Sequence, residues 1–281
     1  MIDLSAKKVL TLDLNNKTAE AKSFVDLNKY LGGVGLGLKL MEIYTDKNPL
    51  VISIGPLNGF FPFASKTSVI ISDDGVIEDL YVGGNLSLRI KFSGVDSIVL
   101  CNKSAENVIL DITNTSVSFK PEITDFNSLG LPGKRSLIDM SGKEFLVQNY
   151  FSTPENFLEK CLLDKKIYGM CITGTETYKP QNFSAYEKLY GEILSKKDEL
   201  RVEAGIYPSC SNCPMGCGKS KFGEIGGNVL LHSLVSCQYA DKIYSDIGIV
   251  FSCLNSLGYD YTHEDLENLP KLIEDTLKGL S

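Results

Sequence analysis

The sequence lacks the features that mark nucleic-acid-binding and membrane proteins. It has 28 lysine and arginine residues against 35 aspartate and glutamate residues, which gives a formal net charge of −7. No basic run is interleaved with aromatic residues, so we expect no nucleic-acid partner, because phosphate-binding surfaces need clustered positive charge. Nowhere do about 18 apolar residues follow one another, the length that a membrane-spanning helix needs. We therefore expect no membrane partner either.

The beginning of the sequence also lacks an export signal. Residues 1–16 (MIDLSAKKVLTLDLNN) contain no basic segment followed by a continuous apolar stretch. This predicts a cytoplasmic protein, and a reducing compartment disfavours disulfides. Of the eight cysteines, those that cluster are then expected to bind metal or to take part in redox chemistry, and Cys101, Cys161 and Cys171 are expected first as small packing residues. With 281 residues, of which 43% are hydrophobic, the chain is long enough for two domains.

The pattern of apolar residues changes along the chain. Short β-branched runs dominate the first 120 residues and predict strands, with helices over Gly35–Tyr44 and over residues 85–94. The segment 121–134 is rich in proline and glycine and has no periodicity, which places a domain boundary there. We therefore predict domains over residues 1–125 and 126–281.

The second half shows helical periodicity. We predict an amphipathic helix over 158–170, a helix that starts at a capping box from Ser184 to Glu187, and a helix from Ile243 that ends at Gly258. Thr262 and Asp265 are expected to start a last helix. The fold class predicted is α+β, in which a β-rich domain precedes a helical domain that carries a cysteine loop.

The cysteine loop comprises residues 208–220 (PSCSNCPMGCGKS), and a stretch of eight residues inside it holds three of the cysteines. Cys210, Cys213 and Cys217 have the spacing C-x2-C-x3-C on irregular backbone. Thiolates are soft anionic donors, and short spacings let several sulfurs reach one inorganic cluster. Gly216 and Gly218 allow close approach of backbone amides to sulfide. The cysteine loop therefore predicts a 4Fe-4S cluster.

The fourth ligand of such a cluster is not within the loop. Cys237 is the first candidate, and Cys253 and Cys171 follow, while a partner chain or a small molecule would be another source. A structural zinc site is an alternative, since Cys237 or His232 would complete a tetrahedral set with the three thiols. Unligated thiols are a further alternative.

Other polar residues have ordinary explanations. His232 lies in an apolar helical stretch and is expected to be a core histidine. His263 follows a helix cap and is expected in solvent. Glu224 is expected to be an exposed loop carboxylate. Gly83 and Gly84 precede a helix, where they would either bind an anion or form a tight turn.

Six segments, taken in this order, resemble one known family. They are residues 30–41 (YLGGVGLGLKLM), 52–59 (ISIGPLNG), 82–100 (VGGNLSLRIKFSGVDSIVL), 135–150 (RSLIDMSGKEFLVQNY), 209–220 (SCSNCPMGCGKS) and 253–260 (CLNSLGYD). The family is that of the tungsten-containing aldehyde ferredoxin oxidoreductases. The likeness extends over nearly the whole sequence and covers the N-terminal and second domains of the family, whose third domain is missing here.

The resemblance implies two packed β-sheets that hold a tungsten or molybdenum bis-pterin, followed by helical domains. It also implies a 4Fe-4S cluster beside the pterin that passes electrons to ferredoxin. The usual fourth cluster cysteine lies in the missing third domain, which draws attention to Cys237. The partners implied are a ferredoxin-like electron carrier or a redox partner subunit, in a homo- or hetero-oligomer.

The sequence departs from the family at the pterin site. Lys66 stands where the family has an arginine that contacts the pterin phosphate, and Tyr81 stands where an asparagine is expected. A glycine-rich run of the family corresponds to residues 158–170, which lack its glycines. The glutamate that the resemblance implies shortly after the cluster loop corresponds to residues 224–228 (EIGGN), where Glu224 is the acidic residue. The pterin-binding candidates that remain are Lys66, Gly83 and Gly84.

Two functions of different kinds follow. The first is an electron-transfer protein that kept the 4Fe-4S cluster, on Cys210, Cys213, Cys217 and Cys237, while its pterin site degenerated. The second is a shortened tungsten or molybdenum bis-pterin oxidoreductase that oxidises an aldehyde with ferredoxin as acceptor, so the sequence leaves open whether the chain is an enzyme. The structural zinc protein is the remaining alternative.

Overall fold

The computed structural model describes residues 4–73, 75–139 and 146–280. Residues 1–3 of the segment used to predict location, and residues 140–145 of the family-like segment 135–150, lie outside the described residues.

The first sheet lies almost entirely in the N-terminal half. Its strands are β1 (Lys7–Asp13), β2 (Thr18–Phe24), β3 (Leu50–Ser53), β4 (Thr67–Asp73), β5 (Val76–Val82), β6 (Ser97–Cys101) and β12 (Glu224–Ile225). They run in the order β12-β5-β4-β3-β6-β1-β2. Strand β12 comes from the chain after the cysteine loop and pairs antiparallel with β5.

The second sheet combines strands from both sides of residue 125. Its strands are β7 (Val108–Thr113), β8 (Ser116–Pro121), β9 (Ser136–Asp139), β10 (Leu146–Val147) and β11 (Ile167–Thr173), in the order β10-β9-β11-β7-β8. The division into domains 1–125 and 126–281 stays a prediction. The helical interpretation of residues 165–170 was wrong, because the chain leaves its helix and enters β11, which pairs with β7 and β9.

The helices follow or flank the sheets. They are α1 (Gly33–Ile43), α2 (Leu86–Phe92), α3 (Phe157–Asp164), α4 (Phe183–Ser195), α5 (Val229–Leu234), α6 (Asp241–Tyr244), α7 (Ile247–Leu257) and α8 (His263–Leu280). Gly258 adopts φ 103° after α7, as predicted. The Thr262–Asp265 capping box is also confirmed.

Two predicted helix starts were wrong. The side chain of Asn182, and not Ser184, accepts a hydrogen bond at the start of α4. The helix predicted from Ile243 is divided into α6 and α7, because Asp246 starts a new helix by accepting hydrogen bonds from two backbone amides. Short side-chain caps thus decide both boundaries.

Alternating side chains of the first sheet enter two different cores. Leu10, Ile52 and Val69 pack toward the second sheet, with Leu110 and Ile172. On the opposite face, the neighbouring strand residues pack against α1, α5, α7 and α8. This arrangement of two sheets followed by helices confirms the α+β class. Within the described ranges, no helix is both long enough and apolar enough to cross a membrane.

Candidate metal centre

The cysteine loop is held at the edge of the first sheet, where β4 begins and β5 ends. The backbone amide of Ser211 donates to the carbonyl of Gly84 at 3.0 Å, and the amide of Cys237 donates to the carbonyl of Phe63 at 2.8 Å. Glu224, in β12, lies opposite Tyr81 of β5. These contacts bring the three loop thiols and the later Cys237 to one place.

The four predicted thiol ligands line one cavity. Cys210, Cys213, Cys217 and Cys237 share its wall, and the cavity volume is about 30 Å³. Cys171 and Cys253, the other candidates for a fourth ligand, lie instead in the hydrophobic cores and are fully buried. Among the residues that the structure describes, no three His, Cys, Asp or Glu side chains group closely enough to hold a single metal ion.

Two glycines allow the loop to approach its surroundings. Gly216 has φ 49°, and a Cβ atom there would lie 2.8 Å from the carbonyl oxygens of Gly205 and Tyr207. At Gly83 a Cβ atom would lie 2.6 Å from the sulfur of Cys210. A side chain at Gly83 would push the Cys210 thiol away from the sheet, and one at Gly216 would disturb the packing of the loop on residues 205–207.

A buried ion pair forms part of the same wall. The ammonium of Lys66 contacts Oε1 of Glu224, and the two residues are only 4% and 5% exposed. The thiol of Cys237 donates to Oε1 of Glu224 at 3.8 Å, and the amide of Gln238 donates to Oε2 at 3.2 Å.

The expectation that Glu224 is an exposed loop carboxylate was therefore wrong. Its partner Lys66 lies far away in the sequence, directly before β4. The ion pair compensates for the burial of the two charges. The signal that could have found it was the family resemblance, which expects a glutamate shortly after the loop.

The charges in the cavity act on one another. Burial alone would lower the pKa of Lys66, but the negative groups of Glu224, Cys237 and Cys210 raise it above its ordinary value. Burial raises the pKa of the Cys237 thiol to about 12 and that of Cys213 to about 11, while the positive charge of Lys66 opposes both shifts. The thiols of Cys213 and Cys237 therefore hold their protons in the metal-free chain, and a metal would displace those protons.

The all-thiol donor set fits an iron–sulfur cluster. Four cysteines from two chain segments line a common cavity, and a lysine ammonium in its wall would balance anionic charge. Thiolate is the ligand that such clusters prefer. Lys66, Cys210, Cys213, Cys217 and Cys237 are thus the residues that would contact the group.

The predicted pterin residues fit their cofactor poorly. A Cβ atom on Gly84 would lie 2.8 Å from Oε1 of Gln148 and 2.8 Å from the ring of Phe151. The same Gln148 oxygen accepts from the amide of Asn85 at 2.8 Å, at the start of α2. Gln148 and Phe151 therefore cover the glycine pair. The ammonium of Lys66 is already paired with Glu224.

The histidines lie outside the cavity wall. His232 is 1% exposed in α5, and its ring centroid is 3.7 Å from that of Tyr81, which confirms a core histidine. His263 is exposed, as expected, and packs on Phe251.

Comparisons with known proteins find similarity in sequence and in fold. Residues 9–153 match the family model described as aldehyde ferredoxin oxidoreductase, N-terminal domain. A curated relative from Pyrococcus furiosus, the aliphatic sulfonate oxidoreductase, WOR-like subunit, is 28% identical over 133 residues, which cover 42% of this chain. The active site complex BamBC of benzoyl coenzyme A reductase, solved with 1,5-dienoyl-CoA, has a similar fold, with a TM-score of 0.60 and 14% identity over 99% of this chain. The aligned parts span 20% of the curated relative and 63% of the solved chain.

Proposed function

Since this chain belongs to the aldehyde ferredoxin oxidoreductase family, we propose that it is an electron-transfer protein that holds a 4Fe-4S cluster on four cysteines. The ligands are Cys210, Cys213, Cys217 and Cys237. The observation that carries the proposal is the common cavity that these four thiols line, although Cys237 lies outside the loop. The remaining cysteines are not among the residues that line this cavity.

The chain's own groups account for binding and tuning. When bound, such a cluster accepts and releases single electrons. The four thiols lose their protons as they bind it, and the ammonium of Lys66 favours the thiolate forms of Cys210 and Cys237. Glu224 holds Lys66 in place and limits the positive charge that the cavity presents.

The pterin site is degenerate in this proposal. Gln148 and Phe151 cover Gly83 and Gly84, which supports a protein that transfers electrons without a pterin. The alternative is the shortened tungsten or molybdenum bis-pterin enzyme that oxidises an aldehyde with ferredoxin as acceptor. It requires these covering groups to move away.

A protein partner receives or supplies the electrons. Large apolar side chains close to the cysteine loop are exposed, with Ile206 at 97%, Tyr207 at 54%, and Phe222 and Ile225 at 57% each. Exposed apolar surface of this kind is typical of protein interfaces. We propose that a ferredoxin-like carrier or a redox partner subunit contacts this face, in a homo- or hetero-oligomer. A cytoplasmic location, without nucleic acid or membrane, belongs to the same proposal.

Metal analysis of protein purified without oxygen tests the cluster. We expect about four irons per chain and neither tungsten nor molybdenum, with a visible absorption band that bleaches on reduction. One zinc and no iron would establish the structural zinc alternative instead. Stoichiometric tungsten or molybdenum would establish the bis-pterin enzyme.

Serine variants test the ligand set. Cys210→Ser should lose the cluster, and Cys237→Ser should retain an incomplete cluster that has lost one iron, with a changed electron paramagnetic resonance signal. Cys161→Ser, in α3, is the matched control and should keep full iron content. A complete cluster in Cys237→Ser would remove that residue from the ligand set.

A further inference from the structure

A second cavity lies beside the first sheet, at the same end of its strands as the cysteine cavity. At this end β1 begins and β3 ends. Its volume is about 290 Å³, and it shares no lining residue with the cysteine cavity. Lys7 of β1, Lys91 of α2, and the aromatic residues Tyr178 and Tyr259 line it. The volume is close to the lower end of the range for small-molecule sites.

Both of these lysines are removed from solvent. Lys7 is 1% exposed and Lys91 is 5% exposed. An ammonium group without water needs a negative partner or several hydrogen bonds, because burial of an unpaired charge costs several kcal/mol. Lys7 and Lys91 therefore each need such a partner in the folded chain.

The other buried lysines have oxygen partners. Lys66 is paired with Glu224, and the ammonium of Lys165 donates to the carbonyl oxygens of Asn48 and Asn102. Lys66 and Lys165 thus show how this fold satisfies a buried ammonium.

The two cavity lysines have weaker partners. Among the residues that the structure describes, the ammonium of Lys91 donates only to the carbonyl of Pro56, at 3.4 Å, and it lies 4.2 Å from the ring centroid of Phe60. That of Lys7 lies 5.3 Å and 5.7 Å from the rings of Tyr259 and Tyr261. In the described part of the chain, neither lysine has a carboxylate within ion-pair distance.

The remaining charges of the wall leave the lysines undercompensated. Asp96 lines the cavity, but its carboxylate accepts from the backbone amide of Lys8 at 2.8 Å, and Glu176 is exposed. Burial lowers the pKa of Lys91 to about 7, and the positive charge of Lys7 adds to this effect while Asp96 opposes it. A bound anion would reverse that shift.

We propose that this cavity binds a small organic oxyanion, a carboxylate or a phosphate ester, between the ammonium groups of Lys7 and Lys91. The tyrosine rings that flank the two lysines give the cavity flat apolar walls, which suit a compact apolar body on the anion. The site does not depend on the iron–sulfur proposal, because the cysteine cavity contributes none of its residues.

Binding to the full chain tests the site. Inorganic phosphate, acetate and phenylacetate are titrated by calorimetry in a buffer free of other oxyanions, with 2-phenylethanol as the uncharged counterpart of phenylacetate. We expect saturable binding of at least one anion, tighter by tenfold or more than that of the alcohol. Comparison of phosphate with acetate identifies the preferred headgroup. Failure of all three anions to saturate, or equal binding of the alcohol, would overturn the proposal.

Variants separate binding from structure. Lys7→Met and Lys91→Met should each weaken anion binding at least tenfold, while the anion-free melting temperature stays equal or rises. Lys103→Met, at an exposed position, is the control and should bind as the wild type does. Variants that fold and still bind the anion with wild-type affinity would contradict the proposal, and the wild-type titrations decide the case if a variant fails to fold.

Discussion

At the level of single residues, the Lys66–Glu224 pair places two opposite charges inside the wall of the cysteine cavity. Loss of one partner leaves the other charge buried, which costs about 3–5 kcal/mol. We expect Glu224→Gln to lower the free energy of unfolding of the metal-free chain by about that amount, as measured in urea under reducing conditions. The double variant Lys66→Met/Glu224→Gln should be more stable than Glu224→Gln alone.

The pair Lys188–Glu192 is a matched control on the surface. Its side chains are 78% and 55% exposed, and they lie 3.8 Å apart. Glu192→Gln should cost under about 1 kcal/mol, because solvent screens the pair. Equal losses for Glu192→Gln and Glu224→Gln would show that the buried pair has no special weight.

The burial of Lys91 makes stability depend on pH. In the folded chain its pKa is lowered from the ordinary value of 10.5 to about 7. Burial is the main cause; the nearby charge of Asp96 opposes the shift, and that of Lys7 adds to it. Between these two values the unfolded chain binds more protons than the folded one, so this residue's contribution to stability falls as the pH falls toward 7. The charged and titratable groups lining the cavity around it are Lys7, Lys8, Asp96, Glu176, Tyr178 and Tyr259.

We therefore expect Lys91→Met to gain stability relative to the wild type as the pH is lowered from 10 to 7. Urea unfolding of both proteins across this range, without oxyanions in the buffer, measures the difference. A difference that stays constant with pH would contradict the assignment.

At the level of elements, side-chain caps set the helix starts. Oδ1 of Asn182 accepts from the amide of Ala185 at 3.1 Å, and Oγ1 of Thr262 accepts from the amide of Asp265 at 3.2 Å. Asn182→Ala and Thr262→Ala should each cost about 1 kcal/mol in urea unfolding. Ser184→Ala, inside α4, should be neutral, and a loss equal to that of Asn182→Ala would restore Ser184 as the cap.

The spacing of a capping box is a weak signal on its own. Both Ser184–Glu187 and Thr262–Asp265 have it, yet Asn182 supplies the cap two residues before Ser184. Likewise, the apolar periodicity of residues 158–170 did not show that the helix ends at Asp164. Pairing with β7 and β9 makes the next residues a strand, and Gly169 packs there against Phe126, where a Cβ atom would lie 2.3 Å from the ring.

At the level of the whole molecule, a bound cluster should link the cysteine loop to the first sheet and to Cys237. A ligand that binds only the folded state stabilises it. Cluster-loaded protein should therefore melt higher than metal-free protein, by about 2–4 °C for each kcal/mol that binding contributes. Cys213→Ser should abolish the difference in anaerobic melting experiments, and equal melting of loaded and metal-free wild type would contradict the linkage.

The sequence predicted which cysteines lie close together better than it predicted the residues around them. The spacing of Cys210, Cys213 and Cys217 and the family resemblance pointed to one site, and the structure brings Cys237 to it. The buried partner of Lys66 was missed, because the charge on a loop residue such as Glu224 predicts exposure. Gln148 and Phe151, which cover the glycine pair, were also missed, since nothing local marks a contact between segments so distant in the chain.

The cysteine cavity draws its walls from segments that leave the ribosome at very different times. The strands around Lys66 and Gly83 are synthesised long before the cysteine loop, and Cys237 is synthesised after β12. All strands of the first sheet thus precede Cys237 in the chain. The proposed set of four cluster ligands is therefore complete only once the chain has been synthesised through Cys237.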